Sequence, residues 1–300
     1  MAFPHIAFGT PRKLPRVADL LGRVVVLDVA FAAGAGGGAT FETTTKPFIE
    51  ALGQRLAAWI DHHDHVMHAS YATDARFVLR TKAEHGACPE MVTPERVLAA
   101  GHVDTICCHT DFDGLCSAAK WIRGGVEPYL GADDDARAID TRMGKPSERA
   151  NLIDRALRAR PRDEALRGLI VRFLVDGCTD LELYRQIEKV SEALRVREEE
   201  ARRIARDYQV KNDIAFVRVP TPHTPYDKTT LLLLGQERAT ISIAMDESAL
   251  TIAARFDSGI DLLQRLGLDG GMPTVVSVAP KDLDSVLRRL GWPAGVPPLA

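Results

Sequence analysis

Ala58-Trp59-Ile60-Asp61-His62-His63-Asp64-His65 is the stretch on which the reading of this chain turns. A short apolar run leads straight into five consecutive residues, each able to bind a metal or carry a proton. Apolar runs of this length bounded by polar residues read as buried strands. The same join occurs twice more. Thr105-Ile106-Cys107-Cys108 precedes His109-Thr110-Asp111-Phe112-Asp113-Gly114, and Val24-Val25-Val26-Leu27 closes on Asp28. Continuous runs suit strands covered on both faces of a parallel sheet, and ligands bind such sheets outside the carboxyl ends of their strands. The expectation is one rim on which Asp28, His62, His109, Asp111 and Asp113 converge, with Asp111-x-Asp113 at a turning strand end.

Acids and histidines gathered in that way suit a pair of divalent cations. Two ions about 3.5–4 Å apart hold a phosphoryl oxygen between them and acidify water near neutral pH. Mixed oxygen and nitrogen donors favour manganese or another first-row ion over a thiolate-seeking metal. The neighbouring residues have plainer readings: His65 and His68 as a solvated helix start, Asp64 as its cap, and Asp113-Gly114 as a turn.

These motifs resemble those of the DHH phosphoesterase superfamily. Asp61-His62-His63 is similar to the triplet that names it. His109-x-Asp111-x-Asp113-Gly114, with Ser117-Ala118-Ala119 opening a helix, resembles its first motif as seen in RecJ-like exonucleases and oligoribonucleases. Val24 to Asp28 resembles the second motif, whose aspartate bridges the metals. The resemblance implies that His109, Asp111 and Asp28 hold one ion, and that Asp113, Asp28 and His62 hold the other. His63 would touch the scissile phosphate or move a proton, with Asp61 orienting the histidines. Asp140 is the candidate for a fourth-motif acid, with Asp74 and Asp180 as rivals. Further on, Ile252-Ala253-Ala254-Arg255 resembles a substrate-binding strand, and Leu266 to Gly271 a glycine loop, which implies substrate contacts at Arg255, Gly270 and Gly271. Two departures stand out. The motif order is circularly permuted, because Asp28 and Asp61-His62-His63 precede His109 to Asp113. The glycine loop runs into Met272-Pro273 where the family has a histidine.

The rest of the chain fits an α/β protein of two domains. At 300 residues with 46% hydrophobic and 26% charged residues, composition is that of a globular protein. Net charge is −3, so there is no overall basic footprint for long duplex nucleic acid. Five cysteines without framework spacing read as reduced core thiols. No leader peptide or membrane span is expected, and the chain reads as cytoplasmic. Residues 1–20 read as a surface lead-in, 34–38 as a flexible glycine loop, and Ser117 to Ile122 as a helix. An acidic stretch from Val126 to Lys145 is left without an element, and Thr230 to Leu234 reads as a strand. The expected organisation is a Rossmann-like parallel sheet in a metal-binding catalytic domain over 1–180, a helical connector over 181–208, and a smaller mixed α/β substrate domain over 209–300. Expected function is hydrolysis of phosphodiester bonds in short oligonucleotides or dinucleotides with two divalent ions, manganese foremost. The other readings are a single-strand exonuclease, a small-molecule phosphatase or pyrophosphatase, and a non-catalytic nucleotide sensor. The partners are a short nucleotide substrate and no membrane, and a homodimer is compatible with the sequence.

Overall fold

The computed structural model describes residues 3–34, 38–221 and 223–293, so 35–37 of the glycine loop lie outside the described residues. The chain forms two compact units, Met1–Ala33 with Ala39–Glu192, and Gly34–Gly38 with Ala193–Ala300.

The first unit is built on five parallel strands: β1 (His5–Phe8), β2 (Val24–Leu27), β3 (Leu56–Asp61), β5 (Phe77–Leu79) and β6 (Thr105–Cys108), with a two-residue strand β4 (Asp64–His65) outside this sheet. Their order is β1-β6-β2-β3-β5, and every pairing is parallel. Strand β6 thus lies between β1 and β2, and the strands that lead to Asp28, Asp61 and His109 are side by side. Side chains of one strand alternate between two apolar layers. Val24 and Val26 pack with Trp59 and Phe48 on one face, while Val25, Leu27 and Ile60 pack with Ile106 and Leu115 on the other. Burial on both faces explains the unbroken apolar runs and makes the strand ends a stiff platform.

Strand β1 corrects the lead-in reading. Ile6-Ala7-Phe8 is short and flanked by prolines, which an edge strand tolerates because only one side of its backbone is paired. The helices are α1 (Lys46–Leu52), α2 (Pro94–Ala100), α3 (Phe112–Ile122), α4 (Ala132–Thr141), α5 (Glu148–Ala159), α6 (Glu164–Val175) and α7 (Leu181–Glu192). Thr93, Ser147 and Asp163 cap α2, α5 and α6 through their side-chain oxygens. Helix α3 begins at Phe112, before the expected Ser117, and α4 occupies the acidic stretch left unassigned.

The second unit holds α8 (Leu194–Ile204), β7 (Gln209–Lys211), β8 (Ile214–Arg218), α9 (Lys228–Gln236), β9 (Ile241–Met245), β10 (Leu250–Ala254), α10 (Leu262–Leu266), β11 (Gly270–Gly271), β12 (Val275–Val278) and α11 (Leu283–Leu290). Its main sheet has the order β12-β10-β9-β8-β7, antiparallel except where β8 meets β9. The expected strand over Thr230 to Leu234 is helix α9. Asp227 caps it by accepting from the Thr230 N–H at 2.7 Å, a local bond that an extended backbone could not make. The single connector helix expected over 181–208 is two helices, α7 and α8, divided at Ala193. All five cysteines are free, four of them buried. Among the described residues no helix is long and apolar enough to cross a membrane.

Candidate metal centre

The register of the first sheet aligns Leu27 with Ile60 on one side and with Cys108 on the other. The chain therefore leaves all three strands at one level, and Asp28, His62 and His109 emerge together. Asp28 turns off β2 with φ at 60°, a left-handed conformation that side chains other than glycine adopt at a cost. Its N–H remains bonded to the Ile60 carbonyl at 2.8 Å. The side chain is fully buried, and neither carboxylate oxygen accepts a hydrogen bond. Burial, and then the charges of Asp113, Asp111 and Asp61, push its carboxyl well above the ordinary range.

His62 is also fully buried. Its Nδ1 donates to the His85 carbonyl at 2.9 Å, which aims Nε2 into the acid cluster. Nε2 faces Asp28 Oδ1 at 3.2 Å, Asp113 Oδ2 at 3.3 Å and Asp140 Oδ2 at 3.7 Å. Carboxylates crowded this closely repel unless positive charge lies among them. His63 donates from Nδ1 to Asp61 at 2.8 Å. Burial lowers the pKa of His63. The Asp61 carboxyl is held below its usual value because His63 and its hydrogen bond outweigh the opposing effect of burial.

His109 donates from Nδ1 to Asp111 at 2.7 Å and lies 3.7 Å from Asp28 Oδ2. Burial opposes charge on both members of this pair. Their mutual attraction prevails, raising His109 and lowering Asp111. Asp111 is not at a strand end: it caps α3, accepting from the Gly114 N–H at 3.4 Å, and Asp113 sits in the first helical turn. The helix start thus aims both carboxylates, where a turning strand had been expected. Gly114 permits this geometry, since a Cβ there would lie 2.8 Å from the His109 carbonyl oxygen. Asp140 arrives on the last turn of α4. Of its rivals, Asp74 is bound by Arg76 at 2.7 Å, and Asp180 caps the start of α7 by accepting from Glu182 N–H at 2.8 Å.

Three overlapping groups result: Asp28 with His62 and His63, Asp28 with His109 and Asp111, and His62 with Asp113 and Asp140. In each, one nitrogen or oxygen per residue lies within 4.8 Å of the others, a spacing that fits a divalent ion with mixed imidazole and carboxylate donors. The orphaned oxygens of Asp28 are the groups an ion would satisfy. His65 and His68 are half-buried, and His65 caps the short 3-10 helix Val66–Tyr71 by accepting from the Met67 N–H. They pack edge-on against Phe31, with centroids 5.6 and 5.1 Å away. Asp64 accepts from the Lys82 N–H at 3.2 Å instead of capping a helix.

Lys82 was not singled out by its sequence. It is 2% exposed, its ammonium pairs with Asp140, and Nζ lies 3.3 Å from His62 Nε2. Burial pulls its pKa down against the pull of Asp113, Asp28, Asp111 and Asp61. The available signal was position: Lys82 follows β5, and so leaves the sheet on the same rim.

In the second unit, Arg255 follows β10, and its side chain is half-exposed, with Nε 3.5 Å from Asp257. Ala253 pairs with Val275, and the Ala254 N–H bonds to the Thr274 carbonyl at 2.8 Å. Arg255 and the segment from Gly270 and Gly271 to Thr274 therefore lie beyond the same end of the β10–β12 pair. Gly271 has φ of 125°, which side chains other than glycine rarely adopt.

No family model matches this chain, and no curated protein does. Among solved structures it is similar to the pGpG-specific phosphodiesterase PggH from Vibrio cholerae, with 15% identity and a TM-score of 0.41 over 90% of this chain and 97% of that one.

Proposed function

We infer that this chain is a metal-dependent phosphodiesterase of the DHH type that cleaves short oligonucleotides or dinucleotides. Asp28 carries the inference. A fully buried carboxylate with no hydrogen bond, held in a left-handed backbone among imidazoles and further carboxylates, is costly unless a cation balances it. The ligand groups offer two places that share the Asp28 carboxylate: one with His109 and Asp111, the other beside His62, Asp113 and Asp140. Divalent ions held there, manganese foremost, would neutralise charge on phosphoryl oxygens and acidify water.

The chain's own residues supply the rest. Asp61 holds His63 so that its Nε2 is free to take or give a proton, and the lowered pKa of His63 keeps it a neutral base near neutral pH. In this reading residues 1–180 carry the chemistry and 209–300 bind substrate, with Arg255 contacting a phosphate and the Gly270-Gly271 backbone approaching it closely. Because Met272 stands where the family's loop has a histidine, terminal-group recognition rests on backbone and Arg255.

The test is incubation of the purified chain with manganese and labelled di- to pentanucleotides beside a long single strand. Turnover of the short substrates, reduced to background by Asp28→Ala, is expected. Turnover that is absent, or indifferent to Asp28→Ala, overturns the reading.

A further inference from the structure

The geometry points to Lys82 as a resident cation that a divalent ion must displace, so that the two metal places fill in a fixed order. This inference rests on the metal-dependent reading above, and deepens it.

His62 fixes the argument. Its Nδ1 is held by the His85 carbonyl at 2.9 Å, which aims Nε2 into the acid cluster. Lys82 Nζ, 3.3 Å away, is the donor it faces, and the same ammonium pairs with Asp140. Lys82 thus takes two of the three donors in the His62, Asp113 and Asp140 group. A metal bound there would sit about 2.0–2.2 Å from the same nitrogen and oxygen. Neither the space nor the repulsion between like charges allows both cations.

The other group differs. His109 donates to Asp111 at 2.7 Å, and Lys82 makes no hydrogen bond or ion pair with Asp28, His109 or Asp111, so an ion enters there without withdrawing that side chain. The place formed by Asp28, His109 and Asp111 therefore fills first. The second fills only in the fraction of molecules whose Lys82 has swung away, and its apparent affinity falls by that fraction.

Lys82 is held for this task. Asp64 accepts its backbone N–H at 3.2 Å, and the turn that carries it, closed by Glu84 and His85 N–H bonds to the Thr81 carbonyl at 3.1 Å, ends on the carbonyl that orients His62. With the backbone held, displacement of the ammonium is taken up by rotations of the four-carbon stem.

The test is titration of chelator-treated protein with manganese(II), followed by calorimetry, elemental analysis and electron paramagnetic resonance. In the wild type, one equivalent binds and gives a mononuclear spectrum. The second binds about tenfold or more weakly and brings the exchange-coupled signal of a pair. In Lys82→Met the gap closes, and the coupled signal appears from the first additions. Lys82→Arg, which keeps the charge, retains the gap. Two equivalents of equal affinity in the wild type overturn the inference while leaving the metal-dependent reading intact, and that titration decides even if Lys82→Met does not fold. An unchanged gap in folded Lys82→Met also overturns it. Binding of no manganese by the wild type overturns both.

Discussion

At the scale of single residues, the chain accepts local cost where the chemistry would lie. Asp28 combines a left-handed backbone with a buried carboxylate that no donor satisfies. Its pKa is raised, so in metal-free protein the folded state holds this proton to higher pH than the unfolded state. Between the usual carboxylate value and the raised one, the folded chain binds more protons, and stability falls as pH rises. Above the raised value the whole cost is present. Asp28→Asn removes the charge while Lys82 keeps Asp140 as a partner. In chelator near neutral pH this variant should be more stable than the wild type by about 1–3 kcal/mol, an advantage that shrinks as pH is lowered. With manganese the order should reverse, because an ion that binds only the folded wild type stabilises it. Urea melts at several pH values, with and without manganese, measure both effects. A variant less stable than the wild type in chelator near neutral pH would contradict this account of Asp28.

At the scale of elements, α4 shows what pattern reading can and cannot reach. Strands β2, β3 and β6 were legible because burial on both faces leaves an unbroken apolar run, and because each ends abruptly in acids or histidines. The candidate ligands Asp28, His62, His109, Asp111 and Asp113 followed from those endings. Helix α4 was not legible. Its inward face includes Asp135, so the apolar period carried by Ala136 and Ile139 is interrupted. Asp135 is satisfied from outside the helix, accepting from the Tyr129 hydroxyl at 2.8 Å and from both Ser147 N–H and Oγ at 2.6 Å. Such contacts join residues that no local window sees together. Lys82 was hidden for the same reason, since its partners come from β3 and α4. Helix α9 was misread because Leu231 to Leu234 is apolar all round, which fits either period until the Asp227 cap decides it. Asp135→Ala should remove three hydrogen bonds whose donors, half-buried Tyr129 and exposed Ser147, water can partly satisfy, and should cost about 1–2 kcal/mol, measured by urea melts. Because α4 carries Asp140, the same change should weaken the second manganese equivalent by roughly 10–100-fold. Wild-type stability together with wild-type binding would mean that Asp140 is positioned by something other than these contacts.

At the scale of the whole molecule, charge separates the proposed substrate range from processive degradation. The chain carries 38 Lys and Arg against 41 Asp and Glu. An enzyme that tracks a long strand grips many phosphates, and each contact that releases a counterion steepens the salt dependence by about 0.7 logarithmic units for single strands. A dinucleotide offers about two such contacts. Raising salt fourfold, from about 50 to 200 mM, should then lower kcat/KM by less than about tenfold, against roughly a thousandfold or more for a tract of several gripped phosphates. Arg255→Ala should flatten the dependence further, since in the proposed reading it is one of the contacts, and should raise KM more than it lowers kcat. Steady-state rates on a labelled dinucleotide at the two salt concentrations decide the matter. A steep slope joined to faster cleavage of long strands would assign the chain to exonucleolytic tracking, and would require a basic path that the overall balance of charge does not advertise.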